Sequence, residues 1–498
     1  MPSDFKAPSE GRREILRLFL DAGLQVHPEA YKTLCESKNP IAIVKSIIEK
    51  TNLLEDKPVV ITSEFLQQIS IEPIAHRPEF HSAKGSIEAK TEEACEDWDF
   101  ADANTQFMTH GLHPYPARMI PQVAERLIRR YLLERVSSPF NQYTVLDPFC
   151  GSGTVLVESL RLGFNAIGND INPLAVLIAR TKSSPPDPST LKQSAGQLSI
   201  DLDEIEMDQV RRVPRYVRFW FQPTSIRGLL AIKSRIEKEQ NEKVKDFLKV
   251  CLSNTAYKVS LADINNHQAH PARYSREELR KKPRPDALSA FLEVLHKSII
   301  AVDEFYRTCR PNHARVRVLR EDARSLSLDK KVDLVVTSPP YGEEQNTVGY
   351  MRWAKIGLFW LDYSPSMLLE IEKKTLGGKR VRSFVPLDSQ TCNNMIRQTR
   401  RRSGDRALHA CSFFEDYYES LERIADVLGA GKYCCIVIGS RLLLGEKVPM
   451  DKITIEMSQS LGLSHVSTYW RNIPKKVMPT RVPEGETINQ ESIIILRK

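Results

Sequence analysis

From about residue 106 onward, short apolar runs of strand length alternate with stretches whose apolar residues recur at helical spacing. The run YTVLDPF is apolar and continuous, as a strand buried on both faces would be. TVLVESLRLG follows as a helix stopped by Gly163. NAIGNDI repeats the strand, and PLAVLIARTK repeats the helix, with Pro173 in its first turn. Strand, helix, strand and helix in this succession predict a parallel, doubly wound sheet. VRVLRED and VDLVVTSPP read as later strands of the same kind. FFEDYYESLERIADVLGAGKYCCIVIGS reads as a helix, a glycine turn and a strand, and DKITIEMSQSLGL as a helix. HVSTYWRNI and ESIIILRK are two closing strand-like runs.

Two segments interrupt the alternation, and two precede it. Residues 183–312 are mainly helical after a proline-rich start, and PDALSAFLEVLHKSIIAVDEFYRTC aligns Leu288, Phe291, Leu292, Leu295, Ile299, Val302 and Phe305 on one stripe. Residues 346–411 are rich in Lys and Arg and lack clear periodicity. Residues 1–70 read as a small helical unit: Ser9 caps one helix, Asn39-Pro40 opens another, and Val59–Ile61 is a short strand. Residues 71–105 are acidic, polar and aperiodic, as a linker is. The expected organisation is therefore a helical module (1–70), a linker (71–105) and a core interrupted twice. The core segments are 106–182, 313–345 and 412–498, and the insertions are 183–312 and 346–411.

Composition narrows the function classes only a little. A hydrophobic share of 41% and a charged share of 27% over 498 residues are those of an ordinary globular protein. A net charge of +8 fits an anionic partner and equally a solvated surface. None of the nine cysteines falls in a CxxC pair or a Cys/His spacing that reads as a zinc site, so no metal is expected. Reduced thiols, the absence of a bilayer-length apolar run and an N-terminus without a signal-peptide core place the expected location in the cytoplasm, away from membranes.

The chemistry lies at strand ends. Asp147-Pro148-Phe149-Cys150-Gly151-Ser152-Gly153-Thr154 joins the first core strand to its helix. Its glycines let the backbone turn tightly and approach a ligand, and the N–H groups of the following helix suit a carboxylate. The turn lacks the Lys-Ser/Thr of a phosphate loop and is not a GxGxxG fingerprint. Asp170 ends the second strand, where a carboxylate can accept two ribose hydroxyls or simply form the turn. Asp322, beside Glu321, ends a later strand. Thr337-Ser338-Pro339-Pro340-Tyr341-Gly342 follows the strand VDLVV.

DPFCGSGT resembles motif I, and TSPPY motif IV, of the amino-methyltransferases of DNA, the families that modify adenine N6 or cytosine N4. The segment THGLHPYPARMIPQ resembles their motif X. The resemblance implies a Rossmann-like, doubly wound methyltransferase sheet with a helical insertion and a small helical N-terminal domain. It implies S-adenosylmethionine as cofactor, held by Asp147, Pro148, Phe149, Gly151, Ser152, Gly153 and Thr154, with Asp170 on the ribose and Asp322 or Glu321 on the adenine amine. His113 would line the methionine end, or serve only as an ordinary helix-entry residue. An exocyclic amine is a poor nucleophile because its lone pair is delocalised into the ring. Ser338 Oγ and the Pro339 carbonyl would accept its two hydrogens and free that lone pair. Pro340 would stiffen the loop, and Tyr341 would stack on a base turned out of the helix.

Serine before PPY goes mostly with cytosine N4, aspartate or asparagine with adenine N6. The expected activity is therefore cytosine N4 methylation of double-stranded DNA, with a cognate restriction endonuclease as partner. The motif order X, I, IV departs from the common cytosine N4 enzymes, in which S-P-P-Y comes first. Adenine N6 methylation, a tRNA guanine N2-type RNA methyltransferase and a non-catalytic DNA-binding subunit that keeps the fold remain open. Two basic stretches compete as the DNA reader. RRVPRYVRFWFQ and HPARYSREELRKKPRP mix cations with aromatics in the first insertion. KKTLGGKRVR and RQTRRRSGDR form a flexible basic stretch in the second.

Overall fold

The apolar runs of the alternating region pair into one seven-stranded sheet. Its strands are β1 Thr144–Asp147, β2 Asn165–Asn169, β3 Val316–Leu319, β4 Val332–Thr337, β5 Leu428–Gly439, β6 Ser464–Asn472 and β7 Gln490–Arg497. They lie side by side in the order β6-β7-β5-β4-β1-β2-β3. All pairings from β3 across to β5 are parallel, and β7 runs antiparallel to both neighbours. This computed structural model describes residues 25–26, 60–61, 96–262, 284–309, 313–343, 348–473, 481–482, 485–486 and 489–498.

Alternate residues of the central strands enter opposite cores, which is why both faces had to be apolar. Val145, Leu334, Val336, Cys435, Ile493 and Ile495 pack with Val123, Leu127 and Ile128 of helix α1 (Pro121–Tyr131). Leu146, Val335, Cys434, Ile436 and Ile494 pack on the other side with Phe414, Tyr417 and Leu421, from a long helix over Gly404–Val427. Helix α2 (Thr154–Arg161) follows β1, and α3 (Pro173–Ser183) follows β2, with Asn172 accepting from the Leu174 N–H as its cap. The order of strands reverses between β1 and β4. The loops after these two strands therefore diverge, and a crevice opens at their carboxyl ends.

The first insertion is helical, with α4 (Pro223–Glu237), α5 (Glu242–Val259) and α6 (Ala287–Cys309) as its main elements. The buried stripe of α6 runs through Phe291, Val294, Leu295, Val302 and Phe305; Leu292, expected on it, is 49% exposed. The 3.6-residue period carries position 292 around to the solvent side. In RRVPRYVRFWFQ, Trp220 and Phe221 belong to the hydrophobic core, so these two aromatics are structural, while the arginines and Tyr216 are exposed. HPARYSREELRKKPRP lies almost wholly outside the described residues.

The second insertion, read as aperiodic and flexible, forms α7 (Tyr350–Leu358), α8 (Pro365–Glu372) and α9 (Gln390–Arg402). For α8 and α9, side-chain caps mark starts that hydrophobic spacing did not reveal. Ser364 Oγ caps α8, Ser389 Oγ caps α9, and Ser403 Oγ caps the helix beyond it, α10 (Gly404–Val427), which is followed by α11 (Met450–Ser460). The two insertions share one apolar core. Tyr257 of α5 stacks on Trp353 of α7 at 4.3 Å, and its hydroxyl donates to the Trp353 carbonyl at 2.7 Å.

The chain divides into two compact units, Met1–Glu92 and Glu93–Lys498. In the first, the described residues form a parallel pairing of Gln25–Val26 with Val60–Ile61, the second of which falls within the expected strand at 59–61. The helices expected over 1–70 lie outside the described residues. The division falls inside the expected linker, and the end of that linker belongs to the sheet unit: Trp98 is buried against Tyr469 and under Arg126. Among the described residues, no helix is long and apolar enough to cross a membrane.

Candidate functional site

The first loop of the crevice is the turn after β1. Gly151 and Gly153 both adopt left-handed backbone, with φ of +48° and +83°. Gly153 is also pressed onto α3, where an added Cβ would lie 2.9 Å from Ala179 Cα. The turn is closed by hydrogen bonds from Gly153 N to the Cys150 carbonyl (2.7 Å) and from Cys150 N to the Asn169 carbonyl (2.9 Å). Among the described residues no side chain caps the start of α2. Its first N–H groups are thus available to an anion at the cleft.

Asp170, at the tip of β2, accepts from Gly151 N at 2.9 Å and from Asn172 N at 2.8 Å. It therefore clamps the glycine turn as well as facing the cleft, and burial pushes its carboxyl up to about 6. Asp147 is more strongly affected: burial raises it to about 7, against hydrogen bonds from Thr337 Oγ1 (2.7 Å) and Phe149 N (3.2 Å). The Thr337 bond ties the end of β4 to the end of β1, and with it the loop at 338–342 to the glycine turn. Burial also raises Asp322, but hydrogen bonds and charge from Arg324 outweigh it and leave the carboxyl below its ordinary range. Arg324 reaches Asp322 through Nε at 2.9 Å and also pairs with Asp416. A ligand amine at Asp322 would therefore share it with a guanidinium, and Glu321 lines the cleft beside it.

The second loop follows β4. Ser338 and Pro340 line the cleft, while Pro339 is buried between them. Tyr341 is fixed at its hydroxyl, which donates to Glu491 Oε1 at 2.6 Å and lies 3.3 Å from Ser338 Oγ. Glu491 stands at the start of β7, and Arg471 of β6 pairs with its other oxygen. The antiparallel course of β7 brings this residue to the carboxyl end of the parallel strands, opposite Gly439.

The segment before α1 forms the remaining wall through Tyr115 and Arg118. Burial pulls the Arg118 guanidinium down from the usual arginine range, and among the described residues its hydrogen bond goes to the His110 carbonyl at 2.7 Å. His113 does not reach the cleft. It is buried between Ser253 Oγ (2.9 Å) and the Pro114 carbonyl (2.5 Å), and burial lowers it to about 3. It thus fastens this wall to α5 as a neutral ring. Behind the turn, Lys182 is buried with Nζ 3.3 Å from Ser152 Oγ, and burial followed by the Arg118 charge drives it well below the ordinary lysine range.

Asp147, Pro148, Phe149, Gly151, Ser152, Thr154, Asp170, Asp322, Ser338 and Pro340 thus line one cleft, and Gly153, Pro339 and Tyr341 lie next in sequence to lining residues without being in the lining themselves. The cleft spans about 1040 Å³ when the open solvent at its mouth is included. Sequence reasoning missed Tyr350, Met351 and Lys374–Leu376, which the second insertion folds into the wall, and Glu491, whose place depends on strand pairing. The chemistry available is an anion site at a helix end, carboxyls suited to hydroxyls and an amine, and a hydroxyl acceptor opposite them.

The family of N6/N4 methyltransferases described as DNA methylase matches residues 32–181. The Type II methyltransferase M.MvaI of Kocuria varians is 28% identical over 418 residues, spanning 79% of this chain and 90% of that protein. The Type II methyltransferase M.MjaII of Methanocaldococcus jannaschii is 38% identical over 103 residues, 20% of this chain and 18% of that one. Among solved structures, TrmN from Thermus thermophilus is similar at 10% identity with a TM-score of 0.26, covering 76% of this chain and 49% of its own. The rRNA methyltransferase aviRa from Streptomyces viridochromogenes is similar at 12% identity with a TM-score of 0.27, covering 77% of this chain and 88% of its own.

Proposed function

We propose that this chain, which the DNA methylase family matches over residues 32–181 and which is 28% identical to the Type II methyltransferase M.MvaI, uses S-adenosylmethionine to methylate the exocyclic N4 amine of cytosine in double-stranded DNA. S-adenosylmethionine supplies an electrophilic methyl group on a sulfonium. The cleft suits this cofactor. Two left-handed glycines leave a cradle in which a Cβ on Gly151 would already approach Tyr115 to 3.3 Å. Arg118 and the start of α2 would hold the carboxylate, Asp170 the ribose hydroxyls, and Asp322 with Glu321 the adenine amine.

Ser338 Oγ and the Pro339 carbonyl would take the two hydrogens of the acceptor amine and bring its lone pair to bear. A base reaches this loop only by leaving the duplex, and Tyr115, Tyr350 and Met351 offer it apolar walls. The observation that carries the reading is that Ser338 and the Gly151 turn line one cleft, held together by the Thr337–Asp147 hydrogen bond. Serine at 338 favours cytosine over adenine.

The second insertion is the better DNA reader. It places Lys374, Thr375 and Leu376 at the cleft, and Arg400, Arg401 and Arg402 are exposed on α9. A cognate restriction endonuclease, whose sites the modification would protect, completes the reading. The test is mass spectrometry of nucleosides from DNA treated with protein and cofactor. N4-methylcytosine is expected. N6-methyladenine would correct the base, and methyl groups on tRNA with none on DNA would overturn the substrate.

A further inference from the structure

We propose that Glu491 is a positioning residue for Ser338 and the final acceptor of the proton released at the methylated amine. The proposal rests on the amine-transfer reading above. A serine hydroxyl is ambiguous, since it can donate or accept, and a serine that aimed its hydrogen at the cleft would meet the hydrogens of the amine. The surroundings of Tyr341 remove the ambiguity. Arg471 is fixed by hydrogen bonds to the Trp98 carbonyl (3.2 Å) and the Asp99 carbonyl (3.5 Å) and pairs with Glu491, whose side chain is 13% exposed. A paired carboxylate only accepts, so the Tyr341 hydroxyl donates to it, as the 2.6 Å contact requires.

The Tyr341 oxygen then has only lone pairs to offer Ser338, 3.3 Å away. Ser338 must donate to it, and what remains of Ser338 toward the cleft is acceptor. The chain of hydrogen bonds gives a serine the acceptor character that an aspartate has unaided.

The same chain conducts a proton. Methyl transfer leaves one surplus proton on the acceptor nitrogen. Its N–H bond breaks as an O–H bond forms at Ser338 Oγ. The original Ser338 proton passes to the Tyr341 oxygen, and the Tyr341 proton passes to Glu491 Oε1. Nitrogen, serine and tyrosine end neutral, and Glu491 ends as the carboxylic acid beside Arg471.

The experiment uses full-length wild type, Glu491→Gln, Tyr341→Phe and the double variant, with duplex DNA and labelled S-adenosylmethionine. Single-turnover rates are measured in H2O and D2O, and cofactor affinity by calorimetry. Glutamine keeps an oxygen for Tyr341 but cannot take up the proton at neutral pH. Each single variant should lose about 100-fold in rate, the scale of a lost general base, with cofactor affinity within about twofold. The double variant should be no slower than the slower single one; wild type should slow in D2O, and that slowing should vanish in Tyr341→Phe. A Glu491→Gln rate within about twofold of wild type, or losses that multiply in the double variant, would overturn the relay. Tyr341→Phe, which removes one oxygen, carries the test if Glu491→Gln misfolds. Wild type that methylates no DNA would instead sink the functional reading itself, relay included.

Discussion

Asp147→Asn separates the two things that Asp147 does. The wild-type carboxyl rises from an ordinary 3.8 to about 7 because it is buried. A carboxyl that holds its proton more tightly folded than unfolded imposes no penalty below 3.8, an increasing one as pH rises to 7, and a constant one beyond. At 1.36 kcal/mol per tenfold change in proton affinity, the full penalty at pH 8 is roughly 4 kcal/mol. Asparagine keeps the Oδ1 that accepts from Thr337 and Phe149 and carries no charge to bury. The stability of the variant relative to wild type should therefore climb through the window from 3.8 to 7 by an amount of that order. Asp170, raised to about 6, adds a slope of the same sign in both proteins, so most of it drops out of the difference; its charge also helps to raise Asp147, and that smaller coupling is lost in the variant. Urea unfolding at intervals between about pH 4 and 8 measures this directly. A constant offset between the two proteins across that range would show that the carboxyl is not desolvated as described. The amide has hydrogens that the site does not ask for, and their cost appears in the offset, not in the slope.

Three further outcomes are expected. Arg118→Gln should weaken S-adenosylmethionine about 10- to 100-fold, the value of a charge-assisted hydrogen bond, while 5′-methylthioadenosine, which has no carboxylate, binds both proteins alike; equal losses for both would refute the assignment. Glu343 and Arg441 form an ion pair whose side chains are each 2% exposed, so Glu343→Gln should cost about 3–5 kcal/mol in urea unfolding. Pairing it with Arg441→Met should restore most of the loss, and an equally unstable double variant would count against a buried pair. Replacing Arg400, Arg401 and Arg402 of α9 by alanine should flatten the salt dependence of DNA binding, by about one in logarithmic slope for each phosphate no longer neutralised. An unchanged slope would move the DNA reader elsewhere.

The parts of the site that lie at strand ends were legible, because a parallel strand announces itself by an unbroken apolar run and its loop follows at once. Asp147, Gly151, Asp170 and Ser338 were found this way, and all four line the cleft. The sequence left two readings of His113 open because it could not say which way a residue before α1 faces; its partner Ser253 comes from a helix 140 positions away. Two helices of the second insertion, α8 and α9, escaped notice although serine side chains cap them. In RRVPRYVRFWFQ, aromatic residues among arginines suggested a base-stacking surface, yet Trp220 and Phe221 fill the core. Glu491 had no local signature, since its nearness to Tyr341 is a product of antiparallel pairing alone.

Tyr257 and Trp353 come from different insertions and meet as one stacked pair within one apolar core. Transplanting either segment alone into a relative would strand half of that interior against foreign side chains. A graft should carry both segments together. A change of volume in one segment should likewise be offset by a change in the other, because the two fill one interior.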